Sequence, residues 1–123
     1  MSFDWSGFLG VAEGLCTAAQ KNPTHRLAQA FYRTAVGRAY FASYCHARSY
    51  AEQHLDFVRT HGPNDHEYVR DTIRAAGKVK EASALDDLRK FRNQCDYDEQ
   101  VHNVDLMAAG SLMKARSVMS LPV

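Results

Sequence analysis

Apolar residues along this chain recur every three or four positions, the spacing of one face of an α-helix. Turn-forming residues separate these periodic stretches. In the turn at residues 61–65, Asn64 or Asp65 can cap the helix that follows. No stretch shows the sustained alternation or the hairpin dipeptide expected of β-strands. The pattern therefore predicts an all-α protein whose helices cover approximately residues 4–20, 25–58, 65–76, 78–98 and 103–119.

The second predicted helix is the longest and has two apolar stripes. One stripe consists of Leu27, Phe31, Ala35, Ala42 and Cys45, and the other of Val36, Tyr40, Tyr44, Ala47, Ala51 and Leu55. A helix that is apolar on two faces is usually central, with neighbours on both sides. Because the connections are short, sequential helices are expected to be antiparallel. We predict a single domain, residues 1–123, folded as an up-and-down bundle of four to five helices.

Two further expectations concern the first and third helices. Gly7, Gly10 and Gly14 lack a Cβ, which would permit another helix to approach the first one closely. Tyr68 and Ala76 follow the apolar spacing of the third helix, so we expect them to point toward the core.

The segment from Ala84 to Asp98 combines an apolar stripe with a dense row of polar residues. The stripe consists of Leu85, Leu88, Phe91 and Cys95, and the polar row of Asp86, Arg89, Asn93 and Asp96. Arg92 lies at the boundary between the two, with Asp96 one turn later. Such a row could handle phosphate, with Arg38 of the long helix facing it. It could equally be a solvated face whose ion pairs contribute only about 0.2–0.5 kcal/mol each.

Composition places the chain among ordinary globular proteins. It has 123 residues, of which 46% are hydrophobic and 24% charged. The formal charge of +1 gives no strong overall attraction to nucleic acid or membranes, so any nucleic-acid site must be a local patch. Three cysteines without close pairing favour reduced, buried thiols rather than a disulfide framework. No apolar run could span a bilayer and no signal peptide is recognisable, so we expect a cytoplasmic protein with no membrane contact.

Familiar catalytic and metal-binding motifs are missing from the sequence. The six histidines form neither an H-E-x-x-H motif nor a cluster with cysteine. There is also no glycine-rich phosphate loop and no nucleophile elbow. We therefore predict no metal and no cofactor. The tyrosines of the long helix are expected to pack in the core or in a dimer interface, with a tethered hydroxyl, rather than to bind a cofactor; they are Tyr32, Tyr40, Tyr44 and Tyr50.

Two segments resemble the HEPN domain proteins of prokaryotes. Arg38-Ala39-Tyr40-Phe41 in the long helix is similar to the arginine followed by paired aromatics in small bacterial members. The segment LRKFRNQCDYD is similar to a Leu-Arg-x-x-Arg-Asn-x-x-Asp-Tyr ending in one branch of the family. The helix order also fits, and the resemblance covers approximately residues 5–120.

The resemblance implies a homodimeric helical bundle that belongs to a toxin–antitoxin or defence system. Two copies of an arginine-to-histidine motif then meet across the dimer and form a metal-independent ribonuclease site. It implies catalytic roles for Arg92, Asn93 and Tyr97, with Arg89, Asp96 and Arg38 binding the substrate or orienting Arg92. Many members pair with a nucleotidyltransferase antitoxin, which in some systems attaches AMP to a tyrosine beside the motif.

The sequence departs from this family at the motif histidine, because Tyr97 stands five residues after Arg92. Histidine transfers protons near neutral pH, whereas tyrosine, with a pKa of about 10, is a poor base. Cleavage would then be slow, borrow a histidine such as His46 or His102, or be absent. The alternatives are a catalytically silent module that partners a nucleotidyltransferase or binds a nucleotide, and a plain helical interaction domain.

Overall fold

The computed structural model describes residues 3–123, which form five α-helices and no strand. The helices are α1 (Ser6–Lys21), α2 (Ala28–His54), α3 (Asp65–Ala75), α4 (Val79–Tyr97) and α5 (Val104–Met119). Helix α2 contacts each of the other four, and α4 also packs against α3 and α5. The prediction of an all-α helical bundle with a central second helix is confirmed.

Small residues on α2 allow its neighbours to pack close to its backbone. Ala35, Ala39, Ala42, Ala47 and Ala51 are all fully or almost fully buried. Larger side chains from α3 and α4 fill the remaining space, and Ile73, Leu85 and Leu88 are among the largest that are completely buried. Burial of a leucine-sized side chain contributes about 1.5–3 kcal/mol, so this layer is a main source of stability.

The long helix is shorter than predicted at both ends. At its start, the ring Nδ1 of His25 accepts a hydrogen bond of 3.1 Å from the Leu27 amide, and Leu27 itself is 37% exposed. At its end, Asp56 adopts a left-handed φ of 57°, which ends the helical path after His54. Leu55 therefore lies outside the helix, and the predicted extension to residue 58 is wrong.

Two expectations about side-chain direction are also wrong. Gly7, Gly10 and Gly14 lie on the exposed side of α1, and a Cβ added at any of them would meet nothing within 4 Å. These glycines therefore do not serve a close helix contact. Tyr68 is 44% exposed and Ala76 is also exposed, because α3 presents only a narrow face to the bundle.

Asp65 holds the loop before α3 rather than capping that helix. Its buried carboxylate accepts hydrogen bonds from the Thr60 amide at 3.1 Å, the Thr60 hydroxyl at 2.5 Å and the His61 amide at 3.0 Å. The Thr60 hydroxyl bond, more than the backbone bonds, lowers the pKa of this carboxyl. Asp65 thereby fixes the position of residues 60–62 beside the helices.

Arg33 of α2 holds the C-terminal end of α4. Its Nη1 donates to the carbonyl oxygens of Cys95 at 3.0 Å and Asp98 at 2.6 Å. Its Nη2 donates to the carbonyl oxygen of Glu99 at 2.9 Å. The last carbonyls of a helix have no partner within the helix. The guanidinium satisfies one of them, that of Cys95, and also holds the two carbonyls just beyond Tyr97, so it anchors the end of the helix that carries Arg92 and Asp96.

Candidate functional site

A cleft of about 630 Å³ opens between α2, α3 and α4, with Trp5 and the loop at residues 59–62 at its edge. Its lining combines cations, aromatic rings and imidazoles. The arginines are Arg38, Arg48, Arg59 and Arg92; the aromatic residues are Trp5, Tyr40, Phe41 and Tyr44; the histidines are His61 and His66. The cleft therefore combines charged donors with aromatic side chains, of which Trp5 and Phe41 are half-buried and Tyr40 and Tyr44 are buried.

The cleft is more positive than the protein as a whole. Four arginines and two carboxylates, Asp65 and Asp96, line it, so the charge of the lining is +2 with the histidines neutral. Glu52, just outside the lining, compensates the charge of Arg59. The uncompensated positive charge therefore lies at the other three arginines, Arg38, Arg48 and Arg92. The complete chain has a charge of +1. Both oxygens of Asp65 accept hydrogen bonds from the loop. A local concentration of positive charge in a partly enclosed site attracts anions.

Arg92 extends from α4 into this cleft. Its side chain is 29% exposed, and its Nη1 lies 3.6 Å from a carboxylate oxygen of Asp96. That distance is too long for a normal hydrogen bond, and the buried Nε has no partner within the described chain. The guanidinium carbon lies 5.4 Å from the centre of the Tyr40 ring. Arg92 is thus positioned by an aromatic face while most of its donors are not engaged by Asp96.

Arg38 reaches the same cleft from α2. Its guanidinium carbon lies 5.0 Å from the centre of the Phe41 ring and 5.8 Å from that of Phe8. Among residues 3–123, it has no carboxylate within ion-pair distance. The sequence predicts that Arg38 faces the polar row of α4. Of that row, only Asp96 lines the cleft with Arg38, together with Arg92.

Arg48 and Arg59 form the other end of the cleft around Glu52. Arg59 makes two hydrogen bonds to Glu52, at 2.7 and 3.2 Å, whereas Arg48 lies 3.9 Å from it. The Arg48 guanidinium also packs over the rings of Trp5 and Tyr44, at 5.7 and 5.6 Å. The sequence analysis did not identify these two arginines as site residues, because no local motif connects them to Arg92.

His66 is held in the cleft by two tyrosines of α2. Its ring stacks on Tyr44 with centroids 3.9 Å apart and an interplanar angle of 4°. Its Nδ1 shares a hydrogen bond with the hydroxyl of Tyr40. Burial, followed by the positive charges of Arg92 and Arg70, lowers the pKa of His66 below its usual 6.5. Burial also raises the pKa of Tyr40 to about 12, so both groups are neutral at pH 7.

The predicted site residues of α4 are divided between two surroundings. Asp96 of the polar row lines the cleft together with Arg92, whereas Arg89, Asn93 and Tyr97 do not. Tyr97 is 75% exposed. Arg89 instead pairs with Asp86 at 3.2 Å, in a cluster that also contains Arg70 and Lys90. For that cluster, the interpretation as a face of ordinary ion pairs is the better description.

The two histidines considered as replacements for the motif histidine lie outside the cleft. The Nε2 of His46 is 2.7 Å from the carbonyl oxygen of Leu121, and His102 is exposed in the loop before α5. The histidines that do reach the cleft, His61 and His66, precede or begin α3. Sequence spacing could not indicate this, because Tyr40 and His66 are 26 residues apart.

Three further features of the described residues concern metal ligands, cysteine thiols and membrane-spanning helices. Residues 3–123 contain no group of three or more His, Cys, Asp and Glu side chains arranged to hold a metal ion. Cys16, Cys45 and Cys95 are free and buried, and burial raises the pKa of each thiol. No helix within the described residues is long and apolar enough to cross a membrane.

Comparisons with known proteins yield no relative for this chain: no family model, no curated protein and no solved structure matches it. The resemblance to HEPN proteins therefore stays a prediction based on the motifs of α2 and α4.

Proposed function

We propose that this protein binds RNA in the arginine-lined cleft and cleaves it as a HEPN-type, metal-independent endoribonuclease of a toxin–antitoxin or defence system. The observation that carries the proposal is the meeting of Arg38 and Arg92 in one positive cleft lined with aromatic rings. Each of the two segments that resemble the family contributes one of these arginines.

The lining suits the two parts of a nucleotide. A planar guanidinium can bind two phosphate oxygens at once, and Arg92 and Arg38 keep donors that no carboxylate occupies at hydrogen-bond distance. An accessible aromatic face can stack on a base, which contributes about 1–3 kcal/mol per base. In this cleft the half-buried rings of Trp5 and Phe41 could serve this role, whereas Tyr40 and Tyr44 are buried. During cleavage, the same arginines would stabilise the additional negative charge on the phosphorus centre.

Two residues of the motif in α4 lie outside the cleft lining and so do not contact a substrate bound in the same chain. Asn93 and Tyr97 do not line the cleft. In this proposal they reach a substrate only across a homodimer, in which the two copies of α4 approach one another. Arg92, Arg38 and Asp96 form the part of the site that a single chain assembles.

The test is cleavage of a fluorescently labelled single-stranded RNA by purified protein in the presence of EDTA. We expect products with 2′,3′-cyclic phosphate and 5′-hydroxyl ends, and no cleavage of DNA with the same sequence. Arg92→Ala should reduce the rate by about 10²-fold, as removal of one charge-stabilising donor typically does. The matched control is Arg116→Ala, which removes an exposed arginine of α5 that pairs only loosely with Glu13, at 3.8 Å. Absence of cleavage, or cleavage that Arg92→Ala leaves unchanged, would contradict the proposal.

One observation favours a second function, a catalytically silent module that partners a nucleotidyltransferase. The Tyr97 side chain is 75% exposed, beside the motif and away from the cleft, so another enzyme could reach its hydroxyl. Co-expression with such an enzyme should then add the mass of one AMP to the intact protein. Tyr97→Phe should abolish that addition, while Tyr68→Phe, which alters another exposed tyrosine, should not.

A further inference from the structure

The proposed cleavage requires a proton acceptor and a proton donor, and the motif in α4 supplies no histidine. Resting on the proposed function, we infer that His66 of α3 and Tyr40 of α2 perform these two roles. His66 is the general base for the 2′-hydroxyl, and Tyr40 is the general acid for the leaving 5′-oxygen.

The contacts of His66 hold its ring in one orientation, as a general base requires. His66 is fixed in position by stacking on Tyr44 and in rotation by its bond to Tyr40. Hydrogen bonds within the described chain use only Nδ1 and leave Nε2 free. When Nδ1 donates to the Tyr40 oxygen, Nε2 carries the lone pair that accepts a proton, and the Tyr40 hydroxyl remains free to donate its own.

The reaction balances as a proton relay. The 2′-oxygen forms a bond to phosphorus while the bond from phosphorus to the 5′-oxygen breaks. The 2′-hydroxyl proton moves to Nε2 of His66, the Nδ1 proton moves to the Tyr40 oxygen, and the Tyr40 proton moves to the 5′-oxygen. Both residues end neutral, and the products are a 2′,3′-cyclic phosphate and a 5′-hydroxyl.

The charges around His66 favour its neutral form. The groups that face it are Arg48, Tyr40 and Tyr44 from α2, Asp65 and Arg70 from α3, and Arg92 from α4. Of these, only Asp65 favours the protonated form, and its carboxylate is occupied by the loop. Two of these positive groups, Arg48 and Arg92, also line the cleft that a phosphate would enter. A neutral base and an anion-binding site therefore coexist.

The other histidine of the cleft is less suited to this role. His61 is exposed, and only its backbone amide is held, by Asp65. A general base is efficient when another group orients it, and His66 alone among the described histidines of the cleft has such a partner.

The experiment compares His66→Gln, Tyr40→Phe and Arg92→Ala on a labelled single-stranded RNA of about ten nucleotides, with His102→Gln as the control outside the cleft. We expect His66→Gln to lower kcat by about 10²–10⁴-fold, as loss of general base catalysis does. Affinity for the 2′-O-methyl form of the same RNA, which cannot react, should stay within about twofold. His102→Gln should cleave like the unaltered protein. The rate of the unaltered protein should rise with pH through a midpoint below 6.5 and then level off, and His66→Gln should lack this rise.

A substrate with sulfur in place of the bridging 5′-oxygen separates the two roles. Its thiolate leaves without a proton, so the rate loss caused by Tyr40→Phe should be smaller with this substrate than with the all-oxygen RNA. The loss that remains reflects the missing hydrogen bond that orients His66. The rate loss caused by His66→Gln should be equally large with both substrates. If Arg92→Ala abolishes cleavage while His66→Gln or His66→Asn cleaves normally, the assignment of the base is overturned and the proposed function stands. If the unaltered protein cleaves no RNA, or Arg92→Ala cleaves normally, the proposed function fails and this inference fails with it.

Discussion

Arg33 is the residue whose removal should reveal most about how this fold supports its cleft. Arg33→Ala removes a guanidinium that donates to three carbonyls at and beyond the end of α4, those of Cys95, Asp98 and Glu99. The adjacent turn of α4 carries Arg92 and Asp96. The substitution should therefore destabilise the protein and loosen the cleft wall, although Arg33 does not line the cleft itself.

The magnitude follows from the three hydrogen bonds. A bond that involves a charged group contributes about 1.5–3 kcal/mol when it is shielded from water. Only the bond to Cys95 is partly buried, and the bonds to Asp98 and Glu99 are exposed and contribute less. The buried Nε of Arg33 has no hydrogen-bond partner, which destabilises the folded protein. Removal of this group therefore offsets part of the stability lost with the three hydrogen bonds. We expect Arg33→Ala to lower the free energy of unfolding by about 2–3 kcal/mol.

Urea denaturation followed by circular dichroism measures this change, and hydrogen exchange locates it. The amide of Asp98 donates to the Gln94 carbonyl at the end of α4. Relative to the unaltered protein, Arg33→Ala should increase the exchange rate of this amide more than the rates of amides in the middle of α4. Arg33→Lys should recover only part of the stability, because an ammonium group lacks the planar fork. Arg26→Ala, at an exposed position before α2, is the matched control. A loss below about 0.5 kcal/mol, which is usual for an ordinary surface substitution, would refute the reasoning.

Three further predictions concern stability, and each uses urea denaturation. Gly14→Ala should stabilise the protein by about 1 kcal/mol, because it removes a helix-interior glycine with open space around its Cβ. Leu88→Ala should cost about 2–5 kcal/mol, since Leu88 is completely buried in α4. His66→Asn should weaken the pH dependence of stability. With the pKa of folded His66 below 6.5, the unfolded chain binds its proton more readily. Stability is therefore fully present above pH 6.5 and is lost as pH falls through the interval between 6.5 and the lower folded pKa.

Separate controls apply to these three variants. Gly77→Ala should destabilise where Gly14→Ala stabilises, because Gly77 has a φ of 90° that disfavours a side chain. Leu106→Ala, at an exposed position of α5, should change stability little. For the histidine, His102→Asn should leave the pH dependence as it is. An equal slope between pH 7 and 5 in the unaltered protein and His66→Asn would show that His66 does not cause it. The carboxyls with lowered pKa act only below pH 3.8, outside this interval; they are Asp4, Asp65 and Asp86.

The sequence by itself determined the helices, the centrality of α2 and the partly buried position of Arg92. Helical periodicity carries this information, because residues three or four apart share a face and hence an environment. The same periodicity placed Asp86, Arg89, Asn93 and Asp96 in one polar row, with Arg92 at its boundary. It could not tell that the row divides between a cleft and a cluster of ion pairs, since that depends on which neighbour covers each side of α4.

Only the tertiary structure decided which distant residues meet. His66 contacts Tyr40 across 26 residues, and Arg33 reaches the end of α4 across 62 to 66 residues. Such contacts depend on how helices cross and on where loops turn, which period and spacing do not encode. The left-handed conformation of Asp56 ends α2 early, and the bonds of Asp65 hold the following loop at the edge of the cleft. The chemistry of the site is therefore distributed over α2, α3 and α4, and no single segment of the sequence contains it.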